Sequence, residues 1–358
     1  MADPQAAYAR QWKLGMPALD MTLNRQGLWA MISMGDGHLA ILPAADTGVG
    51  PSLIEGHEGV SLCCAPDADD HAFLSGGSDG RLLLVDPEVD IPTVLVEGQG
   101  RWIEHVAAHA DGVRAYACGK TLYRLDEMGK QAAPPVEMPF SIGGLSVSPQ
   151  GNYLAVTHYG GAHIFWAKEP EKEPRFLEWK GSLLNMAWSP DDLVLLSALQ
   201  DGSLHGWKIE EALAGGEEHE QIHMQGYANK VHSMAFSAGG KYLVTSGAQQ
   251  AICWSFSQGR PWDNKPLALG GVDARFVVRV APHPRDDMVA VGYDDGMIIF
   301  APLDGRMEVL VLPPAGSPVV GLAWNNEADA LIAVLQSGDI FMFTVKSVSR
   351  FVRGQVGA

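Results

Sequence analysis

Cysteine is scarce in this chain: Cys63, Cys64, Cys118 and Cys253 are all it has in 358 residues. None belongs to a C-x-x-C pair and each sits in an apolar run, so the four are read as reduced core thiols and a disulfide framework is not expected. Positive charge is also short. Lys and Arg total 25 against 42 Asp and Glu, a net charge of −17, and the basic footprint that phosphate backbones and anionic lipid heads require is missing. Neither nucleic acid nor a membrane is expected as a partner. No run of 18 consecutive apolar residues is present that could span a bilayer. The opening MADPQAAYARQWKLG lacks a basic segment followed by an apolar one. A soluble, cytoplasmic protein is the expectation. Disorder is not expected either, because 47% of the residues are hydrophobic, ample material for a core.

What the chain does have is a repeat. "VSLCCAPDADDHAFLSGGSDGRLLLVD" (60–86) and "LLNMAWSPDDLVLLSALQDGSLHGWK" (183–208) share one order: an apolar alternating run, a turn, a second run, an Asp-Gly, and a third run. The same order recurs in 142–167, 231–256, 277–302 and 319–345, and more weakly in 18–43 and 103–127. Aligned on the turn before the third run, the copies fall at Gly37, Gly80, Lys120, Gly161, Gly202, Gln249, Gly296 and Gly338, a mean spacing of about 43 residues. Short period-2 runs bounded by Gly, Asp, Pro and Ser read as strands and hairpins. A fourth run follows in most copies, as in "SLIEGH" (52–57) and "QIHMQG" (221–226). Four strands in that length is one propeller blade.

The units resemble WD40 repeats. "SLIEGH" ends in the Gly56-His57 dipeptide of that family, and "SGGSDGRLLLVD" matches its closing segment. The copies are degenerate: one keeps Gly-His, none keeps Trp-Asp, and Trp166, Trp207 and Trp254 hold the aromatic position of the third strand. Of the family's His, Ser, Asp and Trp hydrogen-bonding set, the second unit retains His57, Ser75 and Asp79, with Val85 in place of Trp. The expected fold is all-β: one closed β-propeller domain over 1–358, built of four-stranded antiparallel blades. Eight blades are expected, with seven as the alternative, from units near 18–57, 60–98, 103–138, 142–179, 183–226, 231–270, 277–312 and 319–345. Residues 8–14 are expected to complete the last unit and close the ring, with "SVSRFVRG" (347–354) competing for the slot.

Three motifs compete with that reading. His219-Glu220-Gln221-Ile222-His223 has the H-E-x-x-H pattern of zinc peptidases, in which two histidines on one helical face share a metal. The repeat register puts the segment on a strand instead, where the same spacing spans about 13 Å. No third ligand follows at the required position, Asn229 standing there. A zinc peptidase using His219 and His223 remains the enzyme alternative, and no metal or other cofactor is expected. Gly76-Gly77-Ser78-Asp79-Gly80 fits G-x-S-x-G, yet another strand follows it where a nucleophile elbow needs a helix. Gly119-Lys120-Thr121 lacks the upstream Gly of a P-loop, Arg114 occupying that place.

With no catalytic constellation, function falls to the surface. The WD40 resemblance implies that loops leading into first strands and hairpins joining second and third strands gather on one face around the channel. The loops supply Arg101-Trp102, Trp179-Lys180, Tyr227 with Lys230, and Arg275-Phe276; the hairpins add Tyr159 and Tyr293. Aromatic residues and arginines dominate binding hot spots. The expected function is therefore a non-catalytic scaffold binding a protein or peptide that carries acidic and apolar groups. A propeller sensing a small molecule or sugar is the other alternative. Neither the partner's identity nor the oligomeric state is legible.

Overall fold

The computed structural model describes residues 9–98, 100–215, 221–256, 261–271 and 274–344. It is almost entirely β: antiparallel sheets arranged as a propeller, with one six-residue α-helix, Ile209–Ala214, and one 3-10 turn, Pro261–Asp263, among the described residues. The first strands of the units touch their neighbours in sequence order, and that of the eighth unit, Val319–Trp324, returns to that of the first, Ala18–Leu23. The ring is closed.

Burial along each unit follows from this arrangement. Second strands lie between sheets on both faces and read as nearly continuous apolar runs, such as Ala330–Leu335, all six residues buried. Fourth strands form the outer rim and alternate, as in Ser52–Glu55, where Ile54 is buried and its neighbours are exposed. The core is accordingly a series of seams between adjacent sheets. One seam packs Ile32, Ala40 and Leu42 of the first unit against Ile332, Ile340 and Met342 of the eighth.

The sheets number seven, not the eight expected: six have four strands and one has six. The weak repeats are not the cause, since 18–55 and 105–137 each form a four-stranded sheet. Units four and five are joined. Two 14-residue strands, Tyr153–Trp166 and Arg175–Trp188, make the junction. The first folds back at Gly160-Gly161 to supply two strands of unit four, and the Ala167 N–H closes that hairpin on the Asn152 carbonyl at 3.0 Å. The second pairs with unit four through Arg175–Glu178 and with unit five through Leu183–Trp188. The pair Tyr159–Ser182 carries the ladder across the junction. Glycines at 160, 161 and 181, with φ of 99°, 151° and 157°, permit the bends there. Each of the eight sequence units thus keeps its own strands, while units four and five share one sheet.

Ala9–Lys13 pairs antiparallel with Asp339–Thr344 and is the outer strand of the last sheet. Residues 347–354 lie outside the described part. All four cysteines are free thiols, and burial pushes Cys63 and Cys64 up, away from the thiolate form.

Candidate functional site

The marker glycines decide which loops share a face. A Cβ on Gly80 would lie 2.5 Å from the Arg101 carbonyl, on Gly296 2.7 Å from that of Ser317, and on Gly338 2.2 Å from that of Met16. Each of these hairpins packs onto the loop leading into the next unit, at positive φ and without room for a side chain. Lead-in loops and second-to-third-strand hairpins therefore interleave on one rim.

The residues expected on that rim divide into two groups. Trp102 is 58% exposed and Tyr159 49%. Arg101 and Lys180 are exposed and Lys230 half-buried, and none of the three makes an ion pair among the described residues. The other group is engaged inside the protein. Tyr293 is 1% exposed and belongs to the seam of the sixth and seventh units, so it cannot serve as a surface contact. Tyr227 is mostly enclosed. Its hydroxyl lies 2.8 Å from Thr245 Oγ1 and accepts from Trp254 Nε1 at 2.9 Å, and burial pushes its pKa up to about 12. Trp179 stacks on the buried His205, ring centroids 3.5 Å apart. Arg275 is ion-paired with Asp295, and Phe276 is half-buried, its N–H donating to Asp294 at 3.1 Å.

Two aromatic residues not anticipated complete the exposed group. Phe140, 48% exposed, meets Tyr159 edge-on at 5.2 Å; Phe176, 49% exposed, stacks on His158 at 5.9 Å and lies 4.8 Å from His163. Tyr159, Phe140 and Phe176 thus surround a histidine pair, with His158 Nε2 2.9 Å from His163 Nδ1. Phe140 precedes the first strand of unit four just as Trp102 precedes that of unit three, so the lead-in rule applied to every unit would have found it. Phe176 had no such signal, because only the pairing of Phe176 with His163 brings it to the patch.

His223 lies on the strand Gln221–Met224, opposite His205, where a zincin requires a helix. His219 and Glu220 lie outside the described residues, and among those described no group of three His, Cys, Asp or Glu could hold a metal. The retained WD40 set is assembled. His57 Nδ1 is 3.0 Å from Asp79 Oδ1 and Nε2 is 2.9 Å from Ser75 Oγ. An ionised Asp79 can only accept, so Nδ1–H donates and Nε2 accepts from the serine. The order Ser-His-Asp mimics a hydrolase triad, but Ser75 is fully buried beneath Ser61, and a nucleophile must reach its substrate. Here the three residues tie the outer strand to the hairpin of the next unit.

A family model described as "WD domain, G-beta repeat" matches residues 219–255. This chain is a β-propeller similar to the WD40 family. Telomerase protein component 1 of Rattus norvegicus is 27% identical over 186 residues, which are 51% of this chain and 7% of that relative. The propeller therefore spans only a small part of that protein's length. The crystal structure of the computationally designed Ika8 protein superposes with a TM-score of 0.73 at 14% identity, covering 93% of this propeller and 98% of Ika8; the likeness is one of fold.

Proposed function

We propose that this WD40-like propeller is a non-catalytic scaffold that binds a protein partner on the rim formed by its lead-in loops and second-to-third-strand hairpins. The observation that carries the reading is the patch of Phe140, Tyr159 and Phe176, each about half exposed and in ring contact with one another or with the histidines between them. Trp102 and the cations Arg101 and Lys180, which make no ion pair among the described residues, belong to the same sector, units three to five. Apolar rings beside cations suit a partner surface with apolar and acidic groups, through stacking and charge-assisted hydrogen bonds. The negative field of the rest of the propeller would repel acidic surfaces docked elsewhere. Trp179 lies within this sector, and Tyr227 and Lys230 lead into unit six beside it, whereas Arg275 and Phe276 lead into unit seven, outside it. Free thiols are in keeping with the cytoplasm as the compartment. The relative described as a telomerase protein component agrees with a role inside a larger assembly.

The test is the variant Trp102→Ala, Tyr159→Ala. Both side chains are exposed, so the melting temperature should stay within a few degrees of the parent. Partners captured from the native source by the parent should be lost by the variant, each anchor contributing about 2 kcal/mol or more. A folded variant that retains every partner places the binding surface elsewhere.

A further inference from the structure

Unit three buries two arginines on adjacent strands, Arg114 on Arg114–Cys118 and Arg124 on Thr121–Leu125. Arg114 engages all three of its guanidinium nitrogens. Nε and Nη2 donate to the two oxygens of Asp67, each at 2.7 Å, and Nη1 donates to the carbonyls of Asp126 and Glu127 at 3.2 and 2.6 Å. Arg124 has the second half of that arrangement without the first. Its Nη1 donates to the Pro170 carbonyl at 2.7 Å and its guanidinium lies 5.1 Å from the centre of the Phe165 ring. Nε is buried with no acceptor, and among the described residues the side chain makes no ion pair. The residue is only 9% exposed. A guanidinium removed from water with its side-on edge idle is costly, and that edge has the geometry of a two-oxygen acceptor.

Arg124 lines an open cleft of about 300 Å³ between units three and four, bounded by residues 111–113 and 124–128 of the one and 165–167 and 170 of the other. That size is at the lower end of small-ligand sites. The cleft is formed by first-to-second-strand turns and third-to-fourth-strand hairpins, so it opens on the rim opposite the aromatic patch. Leu154, Phe165 and Trp166 give it an apolar wall. Of its own carboxylates, Asp111 pairs with Lys168 at 2.6 Å and Asp126 Oδ1 accepts from the Met128 and Lys130 N–H groups, while Glu127 also lines the cleft. Glu171 attracts the guanidinium at longer range.

We propose that this cleft binds a carboxylate carried on an apolar group, with the Nε–Nη2 edge of Arg124 holding both oxygens and the Phe165 side of the cleft holding the apolar part. The same chemistry is offered by an acidic side chain next to an apolar one in a peptide and by a free aryl carboxylic acid. In both cases the ligand supplies to Arg124 what Asp67 supplies to Arg114.

The probes are phenylpropionate, its neutral amide, and an end-capped Phe-Glu-Leu tripeptide, each titrated into the intact protein while the Arg124 Nε–H resonance is followed by NMR. Phenylpropionate should move that resonance saturably and the amide should not. Arg124→Met should weaken binding about tenfold or more, and Arg124→Lys, which keeps charge and stem but lacks the planar fork, should weaken it similarly. If the tripeptide binds more tightly than phenylpropionate the natural ligand is a peptide; the reverse order points to a free acid. Equal binding of acid and amide, or unchanged binding in either folded variant, overturns the proposal. So does binding that appears only in Glu171→Gln, since the chain's own carboxylate would then be the occupant. The acid-versus-amide comparison needs no variant and decides the matter even if both substitutions prevent folding. Its outcome is independent of the rim proposed to bind a protein partner.

Discussion

His158 and His163 share one short contact, 2.9 Å between ring nitrogens, which needs one donor and one acceptor and so cannot survive with both rings protonated. Burial, and then the neighbouring His158, push the pKa of His163 down to about 4 from an ordinary value near 6.5. The folded state therefore takes up the proton less readily than the unfolded chain. The stabilisation from the neutral ring is complete above pH 6.5 and is lost as the pH falls toward 4. We expect the melting temperature to drop across that window, and His163→Gln to make the drop shallower than in the parent; equal slopes would show that other groups carry it. Phe140, Tyr159 and Phe176 pack around this pair, so acidification should loosen the aromatic patch as well. The patch was half legible. Tyr159 is marked by its hairpin, whereas nothing in the sequence joins the two histidines: only the fold-back of Tyr153–Trp166 brings positions 158 and 163 together.

At the scale of elements, sheets are joined by polar side chains that reach from the turn of one unit into the next. Asp67 ends the first strand of unit two and is fully buried against Arg114 of unit three. Asp192, in the left-handed conformation at φ 62°, accepts from Ser148 Oγ at 2.7 Å and Asn152 Nδ2 at 3.0 Å in unit four. The bond with Asp67 raises the pKa of Arg114 further above its ordinary value, so the guanidinium stays charged. Asp67→Asn would keep the shape and leave a buried cation without its counter-charge, a loss of about 3–5 kcal/mol. Urea unfolding should register that loss, and Asp67→Asn combined with Arg114→Met should recover part of it. A cost below about 1 kcal/mol would mean that water reaches the site and screens the charge.

For the whole molecule the decisive contact is the seam. Ala9–Lys13 covers the edge of Asp339–Thr344 and, through Trp12, packs on the cluster shared by the first and eighth units. A strand edge left bare offers a row of unpaired backbone groups to other chains. Removing residues 1–13 should lower the melting temperature by about 5 °C or more, and the protein should self-associate in size-exclusion chromatography. An unchanged melting temperature would assign closure to the segment following residue 344.

Period and pattern were enough to determine the all-β propeller and its repeating strand units, because these depend on local alternation, turn chemistry and spacing that every copy repeats; the set of His57, Ser75 and Asp79 in the second unit followed from the WD40 resemblance. Three things were decided only by tertiary structure. Glycines at 160, 161 and 181 permit the bends at the junction of units four and five, so eight units became seven sheets. Packing between sheets buried Tyr293 and enclosed Tyr227, which sequence position alone made equivalent to the exposed Trp102. Arg124 lacks an acceptor only because of what unit four places around it. A repeat fixes which residues are strand, turn or rim in each copy, but the burial of a rim side chain depends on the neighbouring copy, and in this propeller the neighbours differ.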